Sequence, residues 1–371
     1  MSSINVLYRN KASSIPNGEP VNVHGDLHIN YWKLPRETGG YNRAIDFGVY
    51  LEELTETIAS LTITVPFRVD KTSIVDLSQK LSNEDFISYL FGGSYQILSL
   101  KDCPTYKYAK DLSGKKSFCI YELCSSSIKV SNLEKGSKIV ISIQSEPKGL
   151  NEIKETVEGI EKTNSYNLYL RFRIQDVEEG IFCFTEDISN DFIQSAFSRS
   201  EMTNIKINEL REIDHNDVQE LTSQNSFVTF KKLHFFFIGS SEDEAVSGST
   251  PYESCSLLEP TIWKDYISDL NPRNKKCISY HWSSVEAEKH NIFFKTVYSN
   301  RNLSKLSKYA LVVIVLSMFG SMVYDIGKNV ICVTNKYIQS VISSKSNESQ
   351  NNDSSSIFRD TTQYRNKNNH P

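Results

Sequence analysis

YNLYLRFRI, residues 166–174, is the stretch on which the fold turns. Tyr166, Leu168, Leu170, Phe172 and Ile174 fall on one side and Asn167, Tyr169, Arg171 and Arg173 on the other, the period of two of a strand with one buried face. The polar side reads as solvated, although its two arginine forks match the geometry of a phosphate or carboxylate partner. Just upstream, Leu150, Ile153, Val157 and Ile160 make a stripe at helical spacing, and before that Phe118 to Leu123, Ile128 to Val130 and Lys138 to Ile143 read as strands. Strand, helix, strand suggests one crossover and an internal boundary near 145–165, between a β-rich half, 1–150, and an α+β half, 151–300.

Farther out the same alternation returns. VNVHGDLHINYW, from Val21, reads as two short strands around a Gly25-Asp26 turn, followed by strands over Ile45 to Leu51 and Leu61 to Phe67, the second placed near an edge or an end by Pro66. One short helix is expected after Thr72 or Ser73, and another from Asn83 through Phe91, stopped by Gly92-Gly93. Phe192, Ile193, Ala196 and Phe197 mark a further helix. HFFFIG, apolar on both faces, makes Phe227 to Ile238 a central strand. SSEDEAVSGST, 240–250, reads as a loop; a helix follows Pro260, carrying Trp263, Tyr266, Ile267 and Leu270, and strands lie near Cys277 to His281 and Ile292 to Val297. The fold class is α+β, a β-rich mixed soluble region with several surface helices.

YALVVIVLSMFGSMVY, Tyr309 to Tyr324, holds no charge and covers roughly 24 Å as a helix, against a hydrocarbon core of about 30 Å. Leu306 and Ile326 extend it to a span of 306–326, and Lys305 and Lys308 can snorkel to the headgroups. Tyr309 and Tyr324 sit at the interfacial positions, while Leu311, Ile314, Leu316, Phe319 and Val323 are among eight apolar residues that together favour insertion by roughly 3 to 4 kcal/mol. Lys289, Lys295, Arg301, Lys305 and Lys308 precede the span and only Lys328 and Lys336 follow closely, which predicts a cytoplasmic N-terminal region. Ser317, Gly320 and Ser321 share a face on which a second helix could approach. Ile326, Val330, Val333, Tyr337 and Val341 keep one stripe, an amphipathic extension over 327–342, and the Ser- and Asn-rich 343–371 reads as a disordered tail.

A formal charge of −4 and the lack of a long basic run exclude a general nucleic-acid binder. Seven scattered cysteines without a CxxC pair fit a reducing compartment. His24, Asp26 and His28, in HGDLH, are the metal-ligand candidates, and Gly-Asp-x-His resembles one metal-binding element of the metallophosphoesterases; the GNH element those enzymes also use has no counterpart. A hairpin through Gly25-Asp26 accounts for the same residues without chemistry. His234, among apolar neighbours, reads as a hydrogen-bonded core residue, and His281, between Tyr280 and Trp282, as packed or lining an aromatic pocket. No nucleophile elbow, phosphate loop, dinucleotide fingerprint or HExxH is present, so no catalytic residue and no cofactor is assigned. The reading is a membrane-anchored cytoplasmic binding or sensor module, whose partners are the lipid bilayer, a protein and a second copy of itself. An oligomeric membrane-perturbing effector and a soluble metal-dependent hydrolase built on HGDLH are the alternatives.

Overall fold

The computed structural model describes residues 3–11, 22–36, 40–54, 58–99, 105–114, 116–143, 166–187, 198–246, 251–270, 275–285, 289–299 and 303–350. Residues 1–301 form one compact unit and 302–371 a second.

The first unit is built from strands. In chain order they are β1 (Ser3–Asn10), β2 (His24–Pro35), β3 (Tyr41–Leu54), β4 (Ile58–Val65), β5 (Ile74–Asp76), β6 (Tyr95–Ser99), β7 (Tyr106–Asp111), β8 (Phe118–Tyr121), β9 (Ile128–Leu133) and β10 (Gly136–Ser142). Then come β11 (Tyr166–Ile174), β12 (Cys183–Asp187), β13 (Ser198–Ile207), β14 (Ser226–Phe227), β15 (Thr229–Ser240), β16 (Glu244–Val246), β17 (Ser254–Leu257), β18 (Cys277–Val285) and β19 (His290–Ser299). The smaller sheet runs β16-β19-β13-β1-β4-β10-β9 and the larger β17-β18-β15-β2-β3-β11-β8-β7-β6. Both are mixed: β1 lies parallel to β13, β2 to β15 and β8 to β11, while the other pairs are antiparallel. Each sheet combines strands from before residue 150 with strands from after residue 165.

The two sheets face each other across one core. Ile4, Val6, Leu61, Ile63, Ile139, Ile205 and Phe294 come from the smaller sheet, and Leu27, Ile29, Phe47, Val49, Leu170, Phe172 and Phe235 from the larger. Alternation explains the pairing of faces, because each strand sends every second side chain inward. The far face of the larger sheet is covered as well. Among the described residues three short helices, α1 (Glu84–Phe91), α2 (His215–Gln224) and α3 (Pro260–Trp263), belong to this unit, and α1, α3 and residues 264–270 supply a second cluster in which Phe86, Ile87, Trp263, Tyr266 and Leu270 pack with Trp32, Tyr50, Phe118 and Tyr169 of the sheet.

Local chemistry accounts for the punctuation. Asn83 caps α1 by accepting from Asp85 N and Phe86 N, and Gly92 ends it in the left-handed region at φ 67°. No helix follows Thr72 or Ser73. Asp70 instead closes a single 3₁₀ turn over Lys71–Ser73 by accepting from Thr72 N, and residues 74–76 are captured as β5 on β11. Gly25-Asp26 is likewise no turn but part of the unbroken β2. A Cβ on Gly25 would stand 1.9 Å from the Tyr50 carbonyl oxygen, so the glycine serves a close approach of two backbones. Pro66 directly follows β4, which therefore keeps its ladder between β1 and β10. Residues 244–246 of the expected loop form β16. The helices expected over 150–160 and 192–197 lie outside the described residues.

The described residues of the second unit form one helix, α4 (Leu303–Gln350), 48 residues long. Ser307–Ser343 within it is long and apolar enough to cross a membrane, with a mean hydropathy of 1.9 and none of that window buried. The helix passes without interruption through the striped segment and residues 343–350; the remainder of the tail, 351–371, is outside the described residues. The fold is thus β-rich α+β followed by a single candidate membrane helix.

Candidate functional site

The covered face of the larger sheet carries a polar network that its strands assemble by register. His234 of β15 lies beside His28 of β2, and Phe236 is flanked by Asn30 and His281 of β18. All five side chains therefore share one face. His28 and His234 meet edge to face at 5.1 Å, His234 Nδ1 is 3.0 Å from His281 Nε2, and His281 stacks on Phe236 at 4.3 Å and 10°. Glu253 Oε2 stands 3.9 Å from His281 Nδ1 and accepts from Ser283 Oγ through its other oxygen. At the opposite end His28 Nδ1 is 3.3 Å from the Tyr169 hydroxyl.

From Tyr169 the network continues inward. Arg171 donates from Nη1 to the Tyr169 hydroxyl at 2.8 Å and from Nε to the Tyr266 hydroxyl at 2.6 Å. Asp46 is the hub. It accepts from Arg173 Nε and Nη2 at 2.6 and 3.1 Å, and from Trp32 Nε1 and the Tyr266 hydroxyl at 2.8 Å each. Arg173 Nη1 also reaches Asp269. Arg171, Arg173 and Asp46 are all 0% exposed. The polar face of residues 166–174 is therefore not solvated; residues 260–270 roof it, and paired charges make its burial tolerable.

Burial sets the protonation states. It holds His28 well below the ordinary histidine range, with His234 adding to the effect, and it brings His234 down to about 4, with His281 the next cause. His281 is lowered by burial and partly restored by Glu253. The three imidazoles are thus neutral near pH 7, each offering one donor and one acceptor. Burial raises the Tyr169 and Tyr266 phenols, which remain protonated as donors.

The metal candidates separate. His24 is exposed, Asp26 accepts from Lys116 Nζ at 2.8 Å, and His28 turns to Tyr169 and His234. Among the described residues no group of three or more His, Cys, Asp or Glu is placed to hold a metal ion. The strands that gather the histidines are far apart in the chain, and no local motif marks them.

Between the sheets lies a second buried polar cluster. Lys33 Nζ is 3.0 Å from Glu201 Oε2, with both side chains at most 1% exposed, and sits 3.7 Å from the centre of the Tyr298 ring. Arg43 reaches Glu201 and the more exposed Glu179. Burial raises Asp243 to about 6 and lowers Lys33.

On α4, the side chains of Leu311, Ile314, Leu316, Phe319, Val323 and Tyr324 are exposed and Tyr309 is half-buried. Ser317 bonds back to the Val313 carbonyl, and a Cβ on Gly320 would meet nothing within 4 Å. No protein-family model matches the chain, and no curated protein sequence does.

Proposed function

We propose that the chain is a membrane-held binding module: α4 anchors it, and the β-rich unit, placed on the cytoplasmic side, engages a partner. The observation that carries the reading is the run of exposed large apolar side chains along Ser307–Ser343, because leaving that many in water is unfavourable and a bilayer removes the cost. The excess of Lys and Arg before the span supports the orientation. Full-length protein and a version ending at Arg301 are to be compared by alkaline carbonate extraction of membranes. Retention of the full chain alone is expected; release of both overturns the anchor.

A second reading has its own support, since the helix continues past Asp325 with Ile326, Val330, Val333, Tyr337 and Val341 still exposed. In that version several copies assemble through α4 and perturb the bilayer. Overexpression is then toxic, and deleting Tyr309 to Tyr324 abolishes the toxicity.

A further inference from the structure

α4 is longer than a crossing needs. At about 1.5 Å per residue its 48 residues reach about 72 Å, against a hydrocarbon core of about 30 Å, so a span over 306–326 leaves 327–350 projecting by about 36 Å. The projection carries an apolar line. Ile326, Val330, Val333 and Tyr337 are 53 to 70% exposed and follow at intervals of four, three and four, with Ile331 and Ile338 exposed beside them. Asp325, Lys328, Asn329, Asn335, Lys336 and Gln339 hold the far side. An aligned row of large apolar side chains in water asks for a cover. The bilayer surface is out of reach, because lying on it would need a sharp bend at the membrane, and α4 is helical at every residue from Leu303 to Gln350 without a proline. The β-rich unit precedes the span, so a crossing leaves it on the other side of the bilayer.

The spacing itself names the cover. Intervals of three and four in strict turn give the 3.5-residue period of helices wound round one another, and the line keeps that period back through the span as Tyr309, Val312, Leu316, Phe319 and Val323. Gly320 and Gly327, one heptad apart, border it and let a neighbour come close. Copies of one chain cross the membrane in one orientation, so their lines meet in parallel and in register. Val323 with Val330, and Ile326 with Val333, put β-branched side chains at both core positions of the heptad, a choice that favours three or four strands over two. We propose that Ile326, Val330, Val333 and Tyr337 zip at least three copies of this chain into a parallel coiled-coil bundle outside the bilayer. The assignment rests on the span, and gives the assembly of copies through α4 its register and its minimum number. Such a bundle tethers at least three β-rich units at one point of the membrane, where contacts too weak to hold singly act together on a multivalent partner.

The test uses the full chain throughout. In native membranes, in a Cys332→Ser background, Val330→Cys and Val333→Cys on the line are oxidised beside Lys328→Cys and Gln339→Cys on the far side. Disulfide-linked pairs of the chain are expected from the first two, and from the other two no more than the background gives. Equal yields from both sides overturn the proposal, as does linkage of the line to a protein of another size in place of a second copy. Sedimentation equilibrium in a density-matched detergent supplies the number. At least three times the mass of one chain is expected; the mass of one or two chains overturns the bundle. Val330→Asp/Val333→Asp should reduce the unaltered mass to that of a single chain, whereas Lys328→Asp/Asn335→Asp, with the same added charges on the far side, should keep it; an unchanged mass for the first pair is a refutation. The four positions are exposed on α4, so the β-rich fold is not at stake. A chain that resists carbonate extraction yet sediments singly keeps the anchor and loses the bundle; one that carbonate releases at three or more times its mass keeps the coiled coil and loses the anchor.

Discussion

Replacing Asp46 with asparagine takes the negative charge out of a place where two guanidinium groups are sealed from water. The hub accepts from Arg173 twice, from Trp32 and from Tyr266, and its oxygen lies 4.0 Å from Arg171 Nη2. The amide keeps the shape and one acceptor oxygen, so the packing loss is small and the charge dominates. Arg173 is left with Asp269, whose carboxylate is 37% exposed, and Arg171 with two phenol oxygens. Breaking one side of a buried ion pair costs about 3 to 5 kcal/mol, and the upper part of that range applies here because two cations lose their counter-charge. Equilibrium urea unfolding at pH 7 measures it, followed by the tryptophan fluorescence to which Trp32 of the hub contributes alongside Trp263 and Trp282. Arg173→Met alone and the double variant Asp46→Asn/Arg173→Met complete a cycle. Because the second change removes one stranded cation, the double variant should be less destabilised than the sum of the singles by about 1 to 3 kcal/mol. A cost for Asp46→Asn below about 1 kcal/mol, with additive singles, would refute the sealed hub and return the arginines to solvent.

Three further outcomes are expected. His28, His234 and His281 titrate lower in the fold than in the unfolded chain, so the unfolded state binds protons that the fold refuses; stability is level above about pH 7 and declines as pH falls through 6.5 toward the value of about 4 held by His234, with a slope of up to about 1.36 kcal/mol per unit for each histidine. Asp243, raised to about 6, slopes the opposite way, so the decisive quantity is the difference between the unaltered chain and His234→Phe, read against the charges that face His234: Asp26, Lys232, Glu253 and the two other histidines. Identical pH profiles for the two proteins contradict it. Gly48→Ala should cost about 1 to 3 kcal/mol and lower Tm by several degrees, since the new Cβ would stand 2.2 Å from the Tyr169 hydroxyl and 2.8 Å from Arg171 Nη1; an unchanged Tm removes the argument. Changing Gly320 and Ser321 to leucine should abolish a crosslinked dimer in membranes, and an unaltered crosslink yield excludes that face as the helix contact.

Strands such as β3, β4 and β11, the caps of α1 and the long helix are written in local patterns, which is why alternation, Asn83 with Gly92, and an uncharged run suffice to find them, whereas the same reading contains no strand at β1, β7 or β13. The network is not local. Periodicity reveals that Arg171 and Arg173 share a polar face, but Asp46 and Tyr266, which make that face a core, lie more than 90 residues away on either side. A single strand cannot show whether a second layer covers it. The histidines fail in the same way: His28 sits in a motif that suggests ligands, whereas its actual partners, Tyr169 and His234, are chosen by strand register. Gly25-Asp26 misleads because glycine serves both turns and close backbone approach, and only the neighbour, Tyr50, separates the two.

The parallel pairing of β1 with β13 and of β2 with β15 has a consequence for how a ribosome makes this protein. The first strands emerge long before their neighbours exist, and at about 5 to 20 residues per second β1 waits roughly 10 to 40 s for β13. Throughout that interval β1 and β2 offer unpaired edges to any passing chain. The sheets are complete only when β18 and β19 appear, just ahead of the apolar helix. Protection of the nascent chain is therefore demanded of the cell until β18 and β19 have been made, and a chaperone that holds extended segments is the factor whose depletion should lower the yield of folded protein first.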